Sequence, residues 1–382
     1  MESSIFMKKK KFTKLRSLNR KRNYMMKNIR YYSRLLIEKI LWDKKSKSAI
    51  DFSAVKSILI LRNEGKIGDV IVDSGVIKVL SQHGYDVDIV VTPDNCSIMQ
   101  HDKNIRSIYI ADKVSLNDFM KNRNHNVSSD IINQLNKNGY DLIIDPSIIN
   151  TPIHRPKILN EISAKNVVGF NKNKWINHYG KSISFDYEKN HIKESYKLLL
   201  SEFGITDSPA DYEINNPDET GYDVDSYISS LPQKNINVVI NMFAASSERS
   251  LSLSQAKELD NRLNSLHDNI TVIILDYKNE LSEKSFTHAH VYNSLSLQHS
   301  IALISKSDLI ISPDTSIVHI SAAFRKNLIA IYKNDIHNNK LWSPGYENAV
   351  QLFTSTSKIY EDDNIINEII SSAEKKLKTY NK

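Results

Sequence analysis

The chain has 382 residues, enough for about two domains of ~150 residues each. Apolar residues make up 40% and charged residues 25%, as in soluble globular proteins. We find no run of about 18 apolar residues, which excludes a transmembrane helix, and the basic start lacks the apolar core of a secretory signal. The single cysteine, Cys96, excludes an internal disulfide and a cysteine-based zinc site. These features predict a cytoplasmic protein.

The positive charge is concentrated at one end of the chain. Of the 51 Lys and Arg residues, 16 fall in residues 1–48 beside three acids, which leaves 35 bases and 41 acids elsewhere. The net charge of +7 therefore describes a basic arm on a mildly acidic body.

The arm is predicted to be helical between Tyr24 and Trp42. One apolar stripe recurs at spacings of three or four residues: Ile29, Tyr32, Leu36 and Ile40. Basic residues interleave with this stripe, so the helix suits an anionic membrane surface, with Tyr31, Tyr32 and Trp42 at the headgroups and Leu35, Leu36 and Ile40 inserted. The alternative is a helix that packs on the body. Nucleic-acid binding is not expected, because the body shows no matching basic patch.

From Val55 onward, short apolar runs alternate with helical segments, which predicts a doubly wound parallel sheet. The predicted strands of the first half are 57–62, 87–91, 107–110, 141–145 and 167–170, and its predicted helices are 70–83 and 191–203. Residues 206–235, rich in Asp, Pro, Ser and Asn, are the predicted linker.

A second α/β series follows, with strands at 237–241, 271–275, 290–291 and 308–311 and a helix at 254–266. The chain therefore divides into the arm (1–50), an N-terminal domain (51–205), the linker and a C-terminal domain (236–382), with a cleft between the domains. For the last helix, packing back on the N-terminal domain is an open alternative.

The turn after the first strand is the first candidate site. Two of the ten glycines, Gly65 and Gly68, fall in this turn, outside the carboxyl end of a parallel strand, where ligands bind in such sheets. Asp69 follows at the start of a helix. It is either an acid stabilised by the helix dipole or a general base that faces the cleft.

The turn after the last of these strands is the second candidate site. Asp314, Thr315 and Ser316 are all good N-cap residues, and the helix that they open presents free N–H groups that can hold a diphosphate. His319 lies about one turn further along. The alternative is ordinary capping with a satisfied histidine.

The two turns together resemble glycosyltransferase family 9, the heptosyltransferases of lipopolysaccharide core assembly. Residues 59–70 are similar to the family's strand-R-x-x-x-x-G-D-V-helix motif, with one extra residue between Arg62 and Gly68. Residues 314–323 resemble D-[TS]-G-x-x-H-x-A-A, with Ser316 in place of the glycine. Residues 140–145 are similar to Y-D-L-V-I-D, and residues 241–251 resemble the N-P-G-A-x-x-x-K-R-W loop, with Arg249 in place of its lysine.

The resemblance implies a GT-B fold, two Rossmann-like domains that face each other across a cleft, and an inverting enzyme. It implies that Asp69 takes the proton of the acceptor hydroxyl. The turn that supports this site is formed by Gly65, Lys66 and Gly68. The implied donor-binding residues are Arg249, Glu280, Asp314, Thr315, Ser316 and His319.

The implied substrates are ADP-heptose and a lipid A–core or similar lipid-linked acceptor, so the enzyme is expected on the cytoplasmic side of the inner membrane. No cofactor or metal is implied. The D-x-D pairs at 86–88 and 223–225 are interpreted as surface carboxylates. Two alternatives stay open: a family member that uses another nucleotide-sugar for a surface glycan, and a GT-B-like protein that binds without catalysis.

Overall fold

The chain is built on two parallel β-sheets of six strands, one in each half of the sequence. The structure is a computed structural model. In its first helix, side chains are described at position 19 and from position 21 onward. The residues described are 2–43, 49–113, 124–163, 165–172, 175–232, 234–266, 268–334 and 339–378.

Among its described residues, the first half contains six strands and six α-helices. The strands are β1 (Ser57–Leu61), β2 (Asp86–Val91), β3 (Ser107–Ile110), β4 (Leu142–Asp145), β5 (Asn166–Phe170) and β6 (Lys181–Ile183). The helices are α1 (Glu2–Trp42), α2 (Ile67–Gln82), α3 (Pro93–Met99), α4 (Ser129–Asn138), α5 (Arg155–Glu161) and α6 (Ile192–Glu202). The strand order is β3-β2-β1-β4-β5-β6, so the chain direction across the sheet reverses between β1 and β4.

The second half repeats this architecture. Its strands are β7 (Ile236–Asn241), β8 (Ile270–Asp276), β9 (His290–Asn293), β10 (Leu309–Pro313), β11 (Asn327–Tyr332) and β12 (Ala349–Phe353). Its helices are α7 (Asp218–Ser230), α8 (Leu253–Leu266), α9 (Leu297–Ser305), α10 (Ser316–Ala323) and α11 (Ile365–Leu377). The strand order β12-β11-β10-β7-β8-β9 reverses between β7 and β10. The predicted α/β class is confirmed.

One of the apolar clusters extends through both halves. A continuous cluster of buried side chains includes Ile58 and Val70 from the first half and Val239 and Val318 from the second. Helix α2 is central to it, since it packs on its own sheet and on α10 of the other half. This packing explains why nearly every residue of α2 from Val70 to Leu80 is buried, although most surface helices bury only one face.

The predicted linker contains helix α7, which packs on α9 of the second half. The acids Asp218 and Glu219 in its first turn make this segment polar in sequence, so the helix with its buried Val224 was not predicted. The last helix, α11, packs on α8, β10, β11 and β12. The alternative that it returns to the N-terminal domain is therefore wrong, because its buried face (Ile365, Ile366 and Ile369 among others) belongs to the core of the second sheet.

Helix α1 begins at Glu2 and runs without interruption to Trp42. One face of its C-terminal part packs on α5. Leu35 is only 2% exposed, which contradicts its predicted insertion into lipid. Tyr31 and Trp42 lie on the same docked face, since they are separated from Leu35 by four and seven residues. The predicted stripe Ile29, Tyr32, Leu36 and Ile40 lies on the opposite face, and each of these side chains is at least 45% exposed.

Asp88, interpreted from the sequence as a surface carboxylate, is fully buried. Arg106 donates to both of its oxygens, at 2.9 and 2.8 Å, and Tyr140 donates a further hydrogen bond. The arginine lies 18 residues away, immediately before β3, so the D-x-D spacing alone could not reveal this partner. The pair Asp223 and Asp225 lies on α7, where Asp225 pairs with Lys306 at 2.6 Å.

Candidate active site

A buried ion pair between Arg62 and Asp73 stabilises the turn between β1 and α2. Arg62 donates from Nε and Nη2 to the two oxygens of Asp73, each at 2.6 Å, and Asp73 is fully buried. Tyr196 donates a third hydrogen bond to the same carboxylate. A Cβ on Gly65 would clash with Cδ of Arg62. Gly65 therefore leaves the space that the arginine side chain needs to pass beneath the turn.

Asp69 sits in the first turn of α2 and has a local partner. The backbone N–H of Lys66 donates to Oδ2 of Asp69 at 2.7 Å, as in a helix N-terminal cap. The same side chain lines a cavity of about 270 Å³ at the carboxyl end of the first sheet. The position of Asp69 is thus compatible with both roles considered from the sequence, a helix-capping acid and a general base. The bond from Lys66 orients the carboxylate, and the side chain still borders the cavity.

This cavity lies at the switch point of the first sheet, between the loops that follow β1 and β4. Its lining comes from three regions: the end of β1 through the start of α2, with Arg62, Glu64 and Asp69; the β4–α5 loop from Ser147 to Ile153, with Arg155 of α5; and Tyr31 of α1. Switch points are the usual binding positions in open α/β sheets because neighbouring loops diverge there. The geometry therefore offers a pocket with Asp69 in its wall.

Two ionisable groups of this pocket were not identified from the sequence. Arg155 is 2% exposed and donates from Nη1 to Oδ1 of Asn63 at 2.9 Å, while its Nε lies 3.4 Å from Asp145. Burial raises the pKa of Glu64 to about 7, against the opposing charge of Arg155. Glu64 stands within the recognised turn, but nothing in the sequence marks Arg155, which lies 92 residues from Asn63.

The second turn lies at the switch point of the other sheet, between the ends of β7 and β10. The hydroxyl of Thr315 accepts from the N–H of Ile317 at 3.2 Å, so Thr315 is the N-cap of α10. Asn241, at the end of β7, donates to Oγ of Ser312 at 3.0 Å and to Oγ1 of Thr315 at 3.3 Å. These bonds fix the start of α10 at Ser316.

Arg249 and Asp314 lie together beside this helix start. Nη1 of Arg249 is 3.3 Å from Oδ2 of Asp314, and both side chains are about one-third exposed, at 35% and 36%. Burial raises the pKa of Asp314, while the charges of Arg249 and of Lys66 in the first turn act to lower it. The predicted donor-binding residues Arg249, Asp314, Thr315 and Ser316 therefore share one surface, which Lys66 approaches from the other half of the protein.

The two turns meet at Gly68 and His319. A Cβ on Gly68 would lie 2.9 Å from Cδ2 of His319, which is 5% exposed and also contacts the rings of Tyr212 and Trp342. Burial lowers the pKa of His319 to about 4, although the negative charge of Asp69 opposes this shift. At neutral pH this side chain is a neutral imidazole, and glycine at position 68 permits the close packing of α2 on α10.

Glu280 is the one predicted site residue that the structure does not place with the others. It is exposed and lies in the loop after β8, whose turn is held by Asp276 accepting from the N–H groups of Lys278 and Leu281 at 3.0 and 2.7 Å. The contacts described for the chain do not join it to Arg249, Asp314 or His319. Its assignment to the nucleotide stays a prediction.

Two six-stranded α/β units, each with a candidate ligand-binding turn at its switch point, form the GT-B fold. The sequence model of glycosyltransferase family 9 (heptosyltransferase) matches residues 130–364. The chain belongs to this family, the heptosyltransferases of lipopolysaccharide core synthesis. The resemblance stated from the sequence is confirmed.

Individual relatives agree with this assignment. A putative lipopolysaccharide heptosyltransferase 4 of Escherichia coli K12 is 23% identical over 350 residues, covering 89% of this chain and 92% of the relative. A family 9 glycosyltransferase from Veillonella parvula superposes with a TM-score of 0.70 at 18% identity, covering 87% and 99%. The E. coli ADP-heptose lipopolysaccharide heptosyltransferase II superposes with a TM-score of 0.66 at 12% identity, covering 85% and 100%.

Proposed function

We propose that this enzyme transfers a heptose from ADP-heptose to a sugar of the lipopolysaccharide core, with inversion and without a metal ion. The observation that carries the proposal is the meeting of the two turns through Gly68 and His319. It brings the cavity beside Asp69 and the start of α10 to the same interface between the halves. The donor is inferred from the family and from a relative described as an ADP-heptose lipopolysaccharide heptosyltransferase.

The second half is proposed to hold the donor. The N-terminus of α10 supplies the backbone N–H of Ser316, and Arg249 supplies a guanidinium, which together match a diphosphate leaving group. These donors stabilise the charge that develops as the glycosidic bond to the diphosphate breaks. Asp314 is proposed to accept hydrogen bonds from sugar hydroxyls. His319, which is neutral at pH 7, is proposed to donate one hydrogen bond to a phosphate oxygen.

The first half is proposed to hold the acceptor in the cavity beside Asp69. The acceptor oxygen attacks the anomeric carbon from the face opposite the diphosphate, and Asp69 takes its proton. The sugar passes through an oxocarbenium-like transition state. The Lys66 N–H bond to Asp69 orients the carboxylate for this transfer.

Product formation distinguishes this proposal from its alternatives. The purified protein is incubated with ADP-heptose, with and without the core acceptor, and ADP release is measured. The proposal predicts acceptor-dependent release of ADP. Release from a different nucleotide-sugar only would indicate another surface glycan, and donor binding without any turnover would indicate a binding protein.

The enzyme is further proposed to work on the cytoplasmic face of the inner membrane. No helix among the described residues has the length and hydropathy needed to span a bilayer. The exposed stripe of α1 is flanked by exposed basic side chains, Lys21, Arg22, Lys27 and Arg30. Each base near an anionic surface contributes up to about 1 kcal/mol, and salt screens this attraction. A lipid-linked acceptor favours such recruitment, because confinement to one surface raises the encounter rate.

Vesicle co-sedimentation tests the membrane proposal in the full chain. Leu36→Glu places a charge on the stripe, and Leu198→Glu is the matched control, since Leu36 and Leu198 are 45% and 41% exposed. We expect binding to anionic vesicles that weakens as salt rises, loss of binding for Leu36→Glu only, and little binding to neutral vesicles. Equal binding by both variants would show that another surface meets the membrane.

A further inference from the structure

Helix α1 reaches the cavity that contains Asp69. Its docked face brings Tyr31 into the cavity lining, together with the β1–α2 turn and the β4–α5 loop. Tyr31 is separated from Asp69 by 38 positions in the sequence, so only the packing of the helix on the body unites them. The arm that follows no family motif therefore supplies part of the candidate acceptor site.

Tyr31 also holds the loop that forms the neighbouring wall of this cavity. Its hydroxyl donates to the carbonyl oxygen of Thr151 at 2.6 Å, and residues 150–153 line the same cavity. Burial raises the pKa of Tyr31 to about 12, so the phenol keeps its proton and stays a donor at neutral pH. About two helical turns further along, Glu38 pairs with His154 at 2.9 Å. Two contacts thus fix the β4–α5 loop to α1.

The lining suits a sugar. Ser147, Asn150, Glu64 and Asp69 offer oxygen and nitrogen atoms that can exchange hydrogen bonds with hydroxyl groups. Tyr31 adds an aromatic ring, whose apolar face can contact a ligand while its hydroxyl stays bonded to Thr151. A tyrosine in this position can cover the C–H face of a pyranose while the polar groups bind its hydroxyls.

We propose that Tyr31 is an acceptor-positioning residue, so that the N-terminal helix completes the acceptor site of this enzyme. The inference rests on the proposed function, since it takes the acceptor sugar as the ligand of the cavity. It gives α1 two roles on opposite faces. The exposed stripe meets the lipid surface, and the docked face orients the sugar that this surface carries.

The test compares Tyr31→Ala and Tyr31→Phe with Tyr222→Ala, an exposed tyrosine on α7 that lies outside the cavity. The probe is core oligosaccharide freed of its acyl chains and purified from a strain that lacks this enzyme. Its affinity is measured by calorimetry in the presence of ADP, and KM is measured for acceptor and for ADP-heptose. Circular dichroism and thermal melting establish that each full-length variant is folded.

We expect Tyr31→Ala to raise the acceptor Kd and KM by about tenfold or more and to change the donor KM less than about twofold. Tyr31→Phe keeps the ring but loses the bond to Thr151, so its effect lies between those of wild type and Tyr31→Ala. A lower melting temperature with an unchanged acceptor Kd would show that Tyr31 only stabilises the fold and would overturn the inference. If the wild-type enzyme turns over while all variants match it, the inference fails and the proposed function stands. If the wild type neither binds the oligosaccharide nor releases ADP, both fail.

Discussion

Replacing Arg249 by alanine separates the contribution of this side chain to stability from its contribution to donor binding. The ion pair with Asp314, at 3.3 Å with both side chains about one-third exposed, is worth less than about 1 kcal/mol. The free energy of unfolding should therefore change little. A charged hydrogen bond to the diphosphate is worth about 1.5–3 kcal/mol. Its loss should raise the Kd of ADP by roughly 10- to 150-fold.

Calorimetric titration of ADP into wild type and Arg249→Ala measures this change. Arg262→Ala is the matched control, because Arg262 has 36% exposure and pairs with Glu258 at 3.1 Å on helix α8. We expect weaker ADP binding for Arg249→Ala alone and an unchanged affinity for the acceptor oligosaccharide. Unaltered ADP affinity in Arg249→Ala would refute the placement of the diphosphate beside α10.

Gly68→Ala should destabilise the protein by about 1–3 kcal/mol through overpacking against the buried His319. Gly221→Ala is the control and should not destabilise it, because a Cβ at Gly221 meets nothing within 4 Å. Equal melting temperatures of the two variants would contradict the close packing of the halves. Burial raises the pKa of Glu64 from 4.5 to about 7, so the folded state becomes less stable relative to the unfolded chain as Glu64 ionises. The free energy of unfolding of wild type relative to Glu64→Gln should therefore fall between these pH values, by at most about 3 kcal/mol, and level off above them; a difference independent of pH in urea unfolding would oppose this. Activity should persist in EDTA, and full loss restored by Mg²⁺ or Mn²⁺ would refute the metal-free mechanism.

The sequence predicts the central strands well because a strand buried on both faces needs an uninterrupted apolar run. Strands such as β1 and β10, with runs SILIL and LIISP, meet this condition. The edge strands β6 and β12 were missed, since both are only partly buried over most of their length and carry no such run. Helix α7 was missed for a related reason, because its acidic first turn resembles a polar linker.

Within the site, features set by neighbouring residues in the sequence were predictable, whereas contacts between residues far apart in the sequence were not. The two turns follow from glycines, N-cap residues and the family motifs. The spacing in α1 defines two faces, but it does not say which one the body covers, so Leu35 and Tyr31 were assigned to lipid. Arg155 joins the cavity only through the fold. Contacts between residues about a hundred positions apart are set by the packing of whole elements and leave no local pattern.

Single-turnover kinetics of Asp69→Asn test the assignment of Asp69 as the general base. Asparagine can still accept the N–H of Lys66, so the start of α2 should stay in place and ADP-heptose should bind as it does to wild type. With donor and acceptor saturating, the rate of heptose transfer should fall by about 10²–10⁴-fold, the usual contribution of a general base. A rate within about threefold of wild type would contradict the assignment, because no base of that strength would have been removed.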